Sequence, residues 1–168
     1  MLERYSRLDA LNLGELVDRL EDLEGRRTPI GWTPDDAVER AAIERRIMEL
    51  VGHTPPKEER RRAMRLPCAM SVKLRSKEQS VRGKVRDIGA GGVFVETEAD
   101  FILGTVVELE VRGTGTDEHG LRVRGEVAWN ADGGGRGVGV CFNQLPSTAH
   151  ERRIRRFVIE LLRHRVQN

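Results

Sequence analysis

The sequence predicts a mainly β fold, a six-stranded antiparallel β-barrel with an N-terminal helical hairpin and a C-terminal helix. Three observations carry this. Apolar residues recur at helical spacing before Gly52 and again after Ser147, whereas six segments between residues 68 and 142 alternate apolar and polar residues or run short and apolar. Glycine-rich separators divide those six segments at the close, even spacing of an all-β barrel. Only 4% of the 168 residues are aromatic, which suits a barrel core built mainly from Val, Ile and Leu.

The first helix is read over residues 12–24, NLGELVDRLEDLE. It places Leu13, Leu16, Val17, Leu20 and Leu23 on one face, with Asn12 as cap and Glu15 three residues on. Pro29 and Gly31 interrupt the pattern. A second start signal follows at 33–40, TPDDAVER, where Thr33 caps, Pro34 fits the first helical position, and Asp35 and Asp36 favour the positive end of the dipole. Val38, Ala41, Ala42, Ile47, Met48 and Val51 extend it to Gly52, a stop before Pro55 and Pro56. Two such helices bury little surface alone, so their apolar faces must dock on the rest of the chain or on a second copy, giving a homodimer.

The strands are read at 68–75, 80–88, 92–97, 105–112, 121–129 and 137–142. Gly104 precedes the fourth, and the stretches 113–120 and 130–136 form hairpin loops. Gly133, Gly134 and Gly135 are read as a flexible tip, because no helix start follows them to make a phosphate cradle. The last helix begins near Ser147 or Thr148, with Glu151 completing a capping box, and aligns Ile154, Phe157, Val158, Leu161 and Leu162. The resulting division is a helical region at 1–56, an arginine-rich linker at 57–67, and a barrel with its closing helix at 68–168.

Composition excludes several functions. A net charge of +2 does not imply nucleic-acid binding by the whole chain, and the arginines of the last helix are expected to be solvated rather than a polynucleotide face. No apolar run approaches membrane-spanning length, and the amino terminus lacks a signal peptide's layout, so a cytoplasmic protein is expected. Cys68 and Cys141 sit in no ligand spacing and are expected to be free thiols. His53, His119, His150 and His164 are scattered, and no serine lies in a nucleophile turn. Neither catalysis, a metal nor a cofactor is expected.

The informative residues are the arginines ahead of the first strand and the turn between the second and third. Arg61 and Arg65 are four apart, and 87–92 reads DIGAGG. The planar guanidinium pairs two-pronged with phosphate oxygens or the guanine edge and stacks on purines. A carboxylate accepts from the guanine N1 and N2 donors, and Gly89, Ala90, Gly91 and Gly92 let backbone approach a flat ligand. That combination suits a guanine nucleotide.

From about Arg60 to its end the chain resembles a PilZ domain, whose pattern is RxxxR, then (D/N)xSxxG, then a strand with a glycine–hydrophobic–glycine element. The corresponding text is 61–65 RRAMR, 87–92 DIGAGG and 137–142 GVGVCF, with 103–111 LGTVVELEV between them. The resemblance implies a six-stranded barrel and a bacterial receptor for cyclic di-GMP, of the kind associated with control of motility, pili and exopolysaccharide. It implies ligand contacts from Arg61, Arg65, Asp87, Gly89 and Gly92, with Arg60 and Arg62 as auxiliary cations. Ligand binding would rearrange the linker and helices towards an unidentified protein partner. Gly89 departs from the pattern, standing where the family has serine. Loss of that hydroxyl weakens binding by about 0.5 to 1.5 kcal/mol. The alternative implied by Gly89 is a PilZ-like interaction adaptor that has lost or weakened its ligand.

Overall fold

The computed structural model describes residues 8–52, 64–112, 120–131, 136–142 and 148–167. The chain divides into two compact units, a helical one that ends at Met64 and also takes in Ile159–Asn168, and a barrel unit, Arg65–Val158.

In the helical unit a short 3-10 turn at Leu8–Ala10 leads to α1 (Leu13–Arg26) and α2 (Pro34–Leu50). The expected capping box is present. The Asn12 side chain accepts from the Glu15 N–H at 3.0 Å while Glu15 accepts from the Asn12 N–H at 2.8 Å, so two otherwise unpaired helix-end donors are satisfied. Thr33 accepts from Asp36 N at 3.2 Å with Pro34 in the first turn. Gly52 follows α2 at φ 76, a left-handed conformation that costs glycine nothing. Of the α1 stripe, Leu16, Val17, Leu20 and Leu23 are buried, the first two and Leu23 fully inaccessible, while Leu13 in the first turn is only half-buried.

The α2 stripe differs from expectation. Val38 is 52% exposed and Ala41 lies on the surface; the buried face is Ile43, Glu44, Ile47 and Met48. A hydropathy reading discards Glu44, yet Arg40 one turn earlier pairs with it and makes its burial tolerable. Arg19 on α1 donates to Glu39 on α2 at 2.6 Å, joining the hairpin across its polar edge.

In the barrel unit six strands close in the order β1–β2–β3–β6–β5–β4, every pair antiparallel. They are β1 (Arg65–Arg75), β2 (Ser80–Gly89), β3 (Gly92–Glu96), β4 (Val106–Val111), β5 (Leu121–Ala131) and β6 (Gly137–Cys141). Leu66, Val85, Ile88, Val93 and Val107 are among the fully buried interior side chains, in keeping with the aliphatic composition. Gly104 turns the chain into β4 at φ 82.

β1 starts at Arg65, ahead of the Cys68 expected from alternation. Pro67 obscures the strand because it has no N–H, but β1 pairs with β4 only at Val72–Arg75, so no second ladder needs that donor at Pro67. Register shifts fall at Pro67/Met70, Val85/Asp87 and Val127/Trp129, each an extra residue that re-aims the side chains beside it.

The closing helix α3 (Thr148–Gln167) buries Ile154, Phe157, Val158, Ile159 and Leu162. Leu161, expected on that face, is only half-buried, and Ile159 is covered in addition. Within the helical unit Arg163 donates to Asp18 at 2.9 Å and also pairs with Glu21, so the last helix supplies part of what α1 docks against. The glycine tip at 133–135, the loop at 113–119 and the cap at Ser147 lie outside the described residues.

Candidate functional site

Two rows of outward-facing residues cross the barrel where β1, β2, β3, β6 and β5 adjoin. One row aligns Arg65, Gly89, Gly92, Cys141 and Glu126; the next aligns Pro67, Asp87, Phe94, Gly139 and Trp129. Their neighbours Leu66, Ile88, Val93, Val140 and Val127 point inward and are buried, so the pleat sends these rows outside.

Arg65 and Asp87 meet across the rows. Arg65 Nη1 donates to Asp87 Oδ1 at 2.8 Å, with the two side chains 21% and 28% exposed. Among the described residues Asp87 Oδ2 and the remaining guanidinium donors of Arg65 have no hydrogen bond, so the pair fixes orientation while leaving one acceptor and several donors for another group.

The glycine turn forms the floor. Gly89 pairs with Arg65 on one side and Gly92 on the other, leaving Ala90 and Gly91 as a two-residue hairpin turn. The Gly91 carbonyl accepts from Phe142 N at 3.0 Å, which ties the turn to the end of β6. At Gly92 glycine is required, because a Cβ would stand 2.5 Å from the Val140 carbonyl oxygen and 3.3 Å from Arg65 Nη2. Arg65 therefore lies over a backbone surface with no side chain between.

Of the residues expected from sequence, Arg65, Asp87, Gly89 and Gly92 are brought together here. Arg60, Arg61 and Arg62 lie outside the described residues.

A further feature escaped the sequence reading. Phe94 and Trp129 stack with ring centroids 5.1 Å apart and planes inclined by 8°. The indole covers Gly139, where a Cβ would overlap it, and the Phe94 ring covers Gly137, where a Cβ would stand 2.7 Å from the ring. Trp129 remains 42% exposed. Its signal was an outward aromatic on the strand next to alternating glycines, Gly137 and Gly139, but the extra residue before it in β5 breaks the alternation that would have assigned its face.

Among the described residues no group of three or more His, Cys, Asp or Glu side chains could hold a metal ion, and no helix is long and apolar enough to cross a membrane. Cys68 and Cys141 form no disulfide and are half-buried.

Residues 59–160, more than half of the chain, match the family profile described as the PilZ domain. No curated protein matches the sequence. Among solved structures, the PilZ domain of YcgR from Escherichia coli with c-di-GMP is similar at TM-score 0.52 and 16% identity, covering 65% of this chain and 95% of that one. YcgR from Escherichia coli in complex with c-di-GMP gives 0.52 and 18%, covering 64% of this chain and 48% of that one. The Bacillus subtilis inhibitor of motility MotI/DgrA gives 0.47 and 20%, covering 69% and 58%. At these identities the likeness is one of fold, and this chain spans little more than half of the motility inhibitor.

Proposed function

The chain belongs to the PilZ domain family, and on that premise we propose that it is a receptor for cyclic di-GMP, acting in signalling rather than catalysis. The observation that carries the reading is the Arg65–Asp87 pair over the Gly89–Gly92 turn. Arg61 and Arg65 grip phosphate and the guanine edge, Asp87 accepts from guanine N1 and N2, and Gly92 admits the ligand to the backbone. Arg60 and Arg62 add positive charge at the same segment. The exposed face of the Phe94–Trp129 stack, across the strands from Asp87, suits a planar base. The solved c-di-GMP complexes of YcgR support the ligand class. Ligand binding is relayed to a protein partner through the segment before β1 and the helical unit.

A second reading is favoured by one residue. Gly89 supplies no hydroxyl where the family pattern has serine, which fits an interaction adaptor whose ligand binding is weakened or lost. Against it stand the charge-assisted contacts open to Arg65 and Asp87, worth about 1.5 to 3 kcal/mol each and more than one neutral hydrogen bond.

Titration calorimetry with cyclic di-GMP on the native protein and on an Arg61→Ala/Arg65→Ala variant separates the two. Saturable heat from the native protein, lost in the variant, is the receptor result. Absence of heat from the native protein, or equal heat from both, leaves the adaptor reading.

A further inference from the structure

Glu44 is a carboxylate in an apolar place. It is 8% exposed on α2 among Ile43, Ile47 and Met48. Its Oε1 pairs with Arg40. Its Oε2 accepts the backbone N–H of Met64 at 3.3 Å, a bond between residues twenty positions apart. Met64 is itself buried, and it immediately precedes Arg65.

Arg40 is fixed in turn. Its guanidinium carbon lies 4.4 Å from the centroid of the Trp32 ring, and the Trp32 indole N–H donates to the Leu23 carbonyl on α1 at 3.2 Å. A continuous line of contacts thus runs from α1 through Trp32, Arg40 and Glu44 to one amide at the entry to β1. A buried carboxylate is tolerated when hydrogen bonds satisfy its remaining lone pairs as well as a cation its charge, and the Met64 N–H supplies one of those bonds. The same bond holds the backbone one residue ahead of Arg65, which the receptor reading assigns to the ligand.

We propose that Glu44 is a positioning residue for nucleotide binding: by holding the Met64 amide it presets the course of the chain into Arg65, so that occupancy of the site and order of α2 are coupled. The proposal rests on the receptor reading above. Preorganisation of this kind removes part of the ordering cost of binding, and coupling between two sites is reciprocal, so ligand must strengthen the hold on Met64 by the factor by which that hold strengthens ligand binding. One neutral-strength hydrogen bond corresponds to roughly threefold to tenfold in affinity.

The test is amide hydrogen exchange on the full chain with and without cyclic di-GMP, alongside calorimetry of Glu44→Ala and Glu44→Gln. The expected result is that ligand slows exchange at Asp87–Gly92 and also at Met64 and along α2. Glu44→Ala then binds about threefold to tenfold more weakly and loses the α2 response, and Glu44→Gln, which keeps an acceptor oxygen, recovers most of the affinity. Protection confined to Asp87–Gly92 in the native protein overturns the proposal and leaves the receptor reading intact. No ligand-dependent change anywhere overturns both. Should Glu44→Ala fail to fold, the exchange pattern of the native protein decides alone.

Discussion

Replacing Gly92 by alanine tests the construction of the site at its tightest point. The new Cβ would stand 2.5 Å from the Val140 carbonyl oxygen and 3.5 Å from Cys141 Cα, both backbone atoms of β6, and 3.3 Å from Arg65 Nη2. A carbon and a carbonyl oxygen ordinarily approach to about 3.3 Å, so β3 and β6 must separate by roughly 0.8 Å where Gly92 pairs with Cys141. The guanidinium can swing aside, but the two strands cannot without straining a ladder that closes the barrel. Overpacking of this kind costs about 1 to 3 kcal/mol. For a unit of this size that lowers the melting temperature by about 4 to 8 °C per kcal/mol. Displacement of Arg65 adds a separate loss of ligand affinity of about tenfold or more. Thermal melts followed by circular dichroism read the first effect and calorimetry with cyclic di-GMP the second. Gly25→Ala is the control, since its Cβ meets nothing within 4 Å on a helix and should stabilise by up to about 1 kcal/mol. If Gly92→Ala melts like the native protein and binds equally, the close packing of Arg65 over the turn is not what shapes the site.

Three further outcomes follow from individual residues. Gly89→Ser should tighten cyclic di-GMP binding by roughly threefold to tenfold in calorimetry; an unchanged or weaker affinity means that a hydroxyl at this position meets no ligand atom. Asn12→Ala should destabilise the helical unit by about 0.5 to 2 kcal/mol in denaturant melts, because it removes the side-chain oxygen that accepts the Glu15 N–H, and a neutral effect would show that α1 is held by packing alone. The Glu96 carboxyl is held below its ordinary value of 4.5, chiefly by the hydrogen bond from Arg86. A depressed carboxylate stabilises the fold above its ordinary value and loses that contribution as the pH falls through its folded value. Glu96→Gln should therefore narrow the stability difference between neutral pH and pH below that range, and an unchanged difference would place the acid sensitivity elsewhere.

The order and type of elements were legible because period and punctuation agree. Asn12 with Glu15, and Thr33 with Pro34, mark helix starts by local hydrogen bonding that does not depend on the rest of the fold. The six strands were legible because the barrel interior takes every second side chain. The misreadings have non-local causes. Glu44 is buried beside Arg40, which pairs with it, and Met64, which supplies a donor from twenty residues away, and no short window of sequence contains that arrangement. Pro67 hides the start of β1, although β1 pairs on one side only there and no second ladder needs a donor from it. For the site, the spacing of Arg65 and the acid-glycine turn sufficed to bring Asp87, Gly89 and Gly92 into one account, since β1 and β2 are consecutive and pair directly. Phe94 and Trp129 depend on β3, β6 and β5 lying side by side and on the extra residue before Trp129, a long-range register that alternation cannot supply.

The most direct measurement of the central claim is an amide chemical-shift titration of the full chain with cyclic di-GMP. A receptor shows saturable shifts concentrated at Arg65, Asp87 through Gly92 and the Trp129 indole, abolished by Arg65→Ala. Saturable shifts on another face of the barrel, or none at concentrations that saturate a receptor, would contradict it.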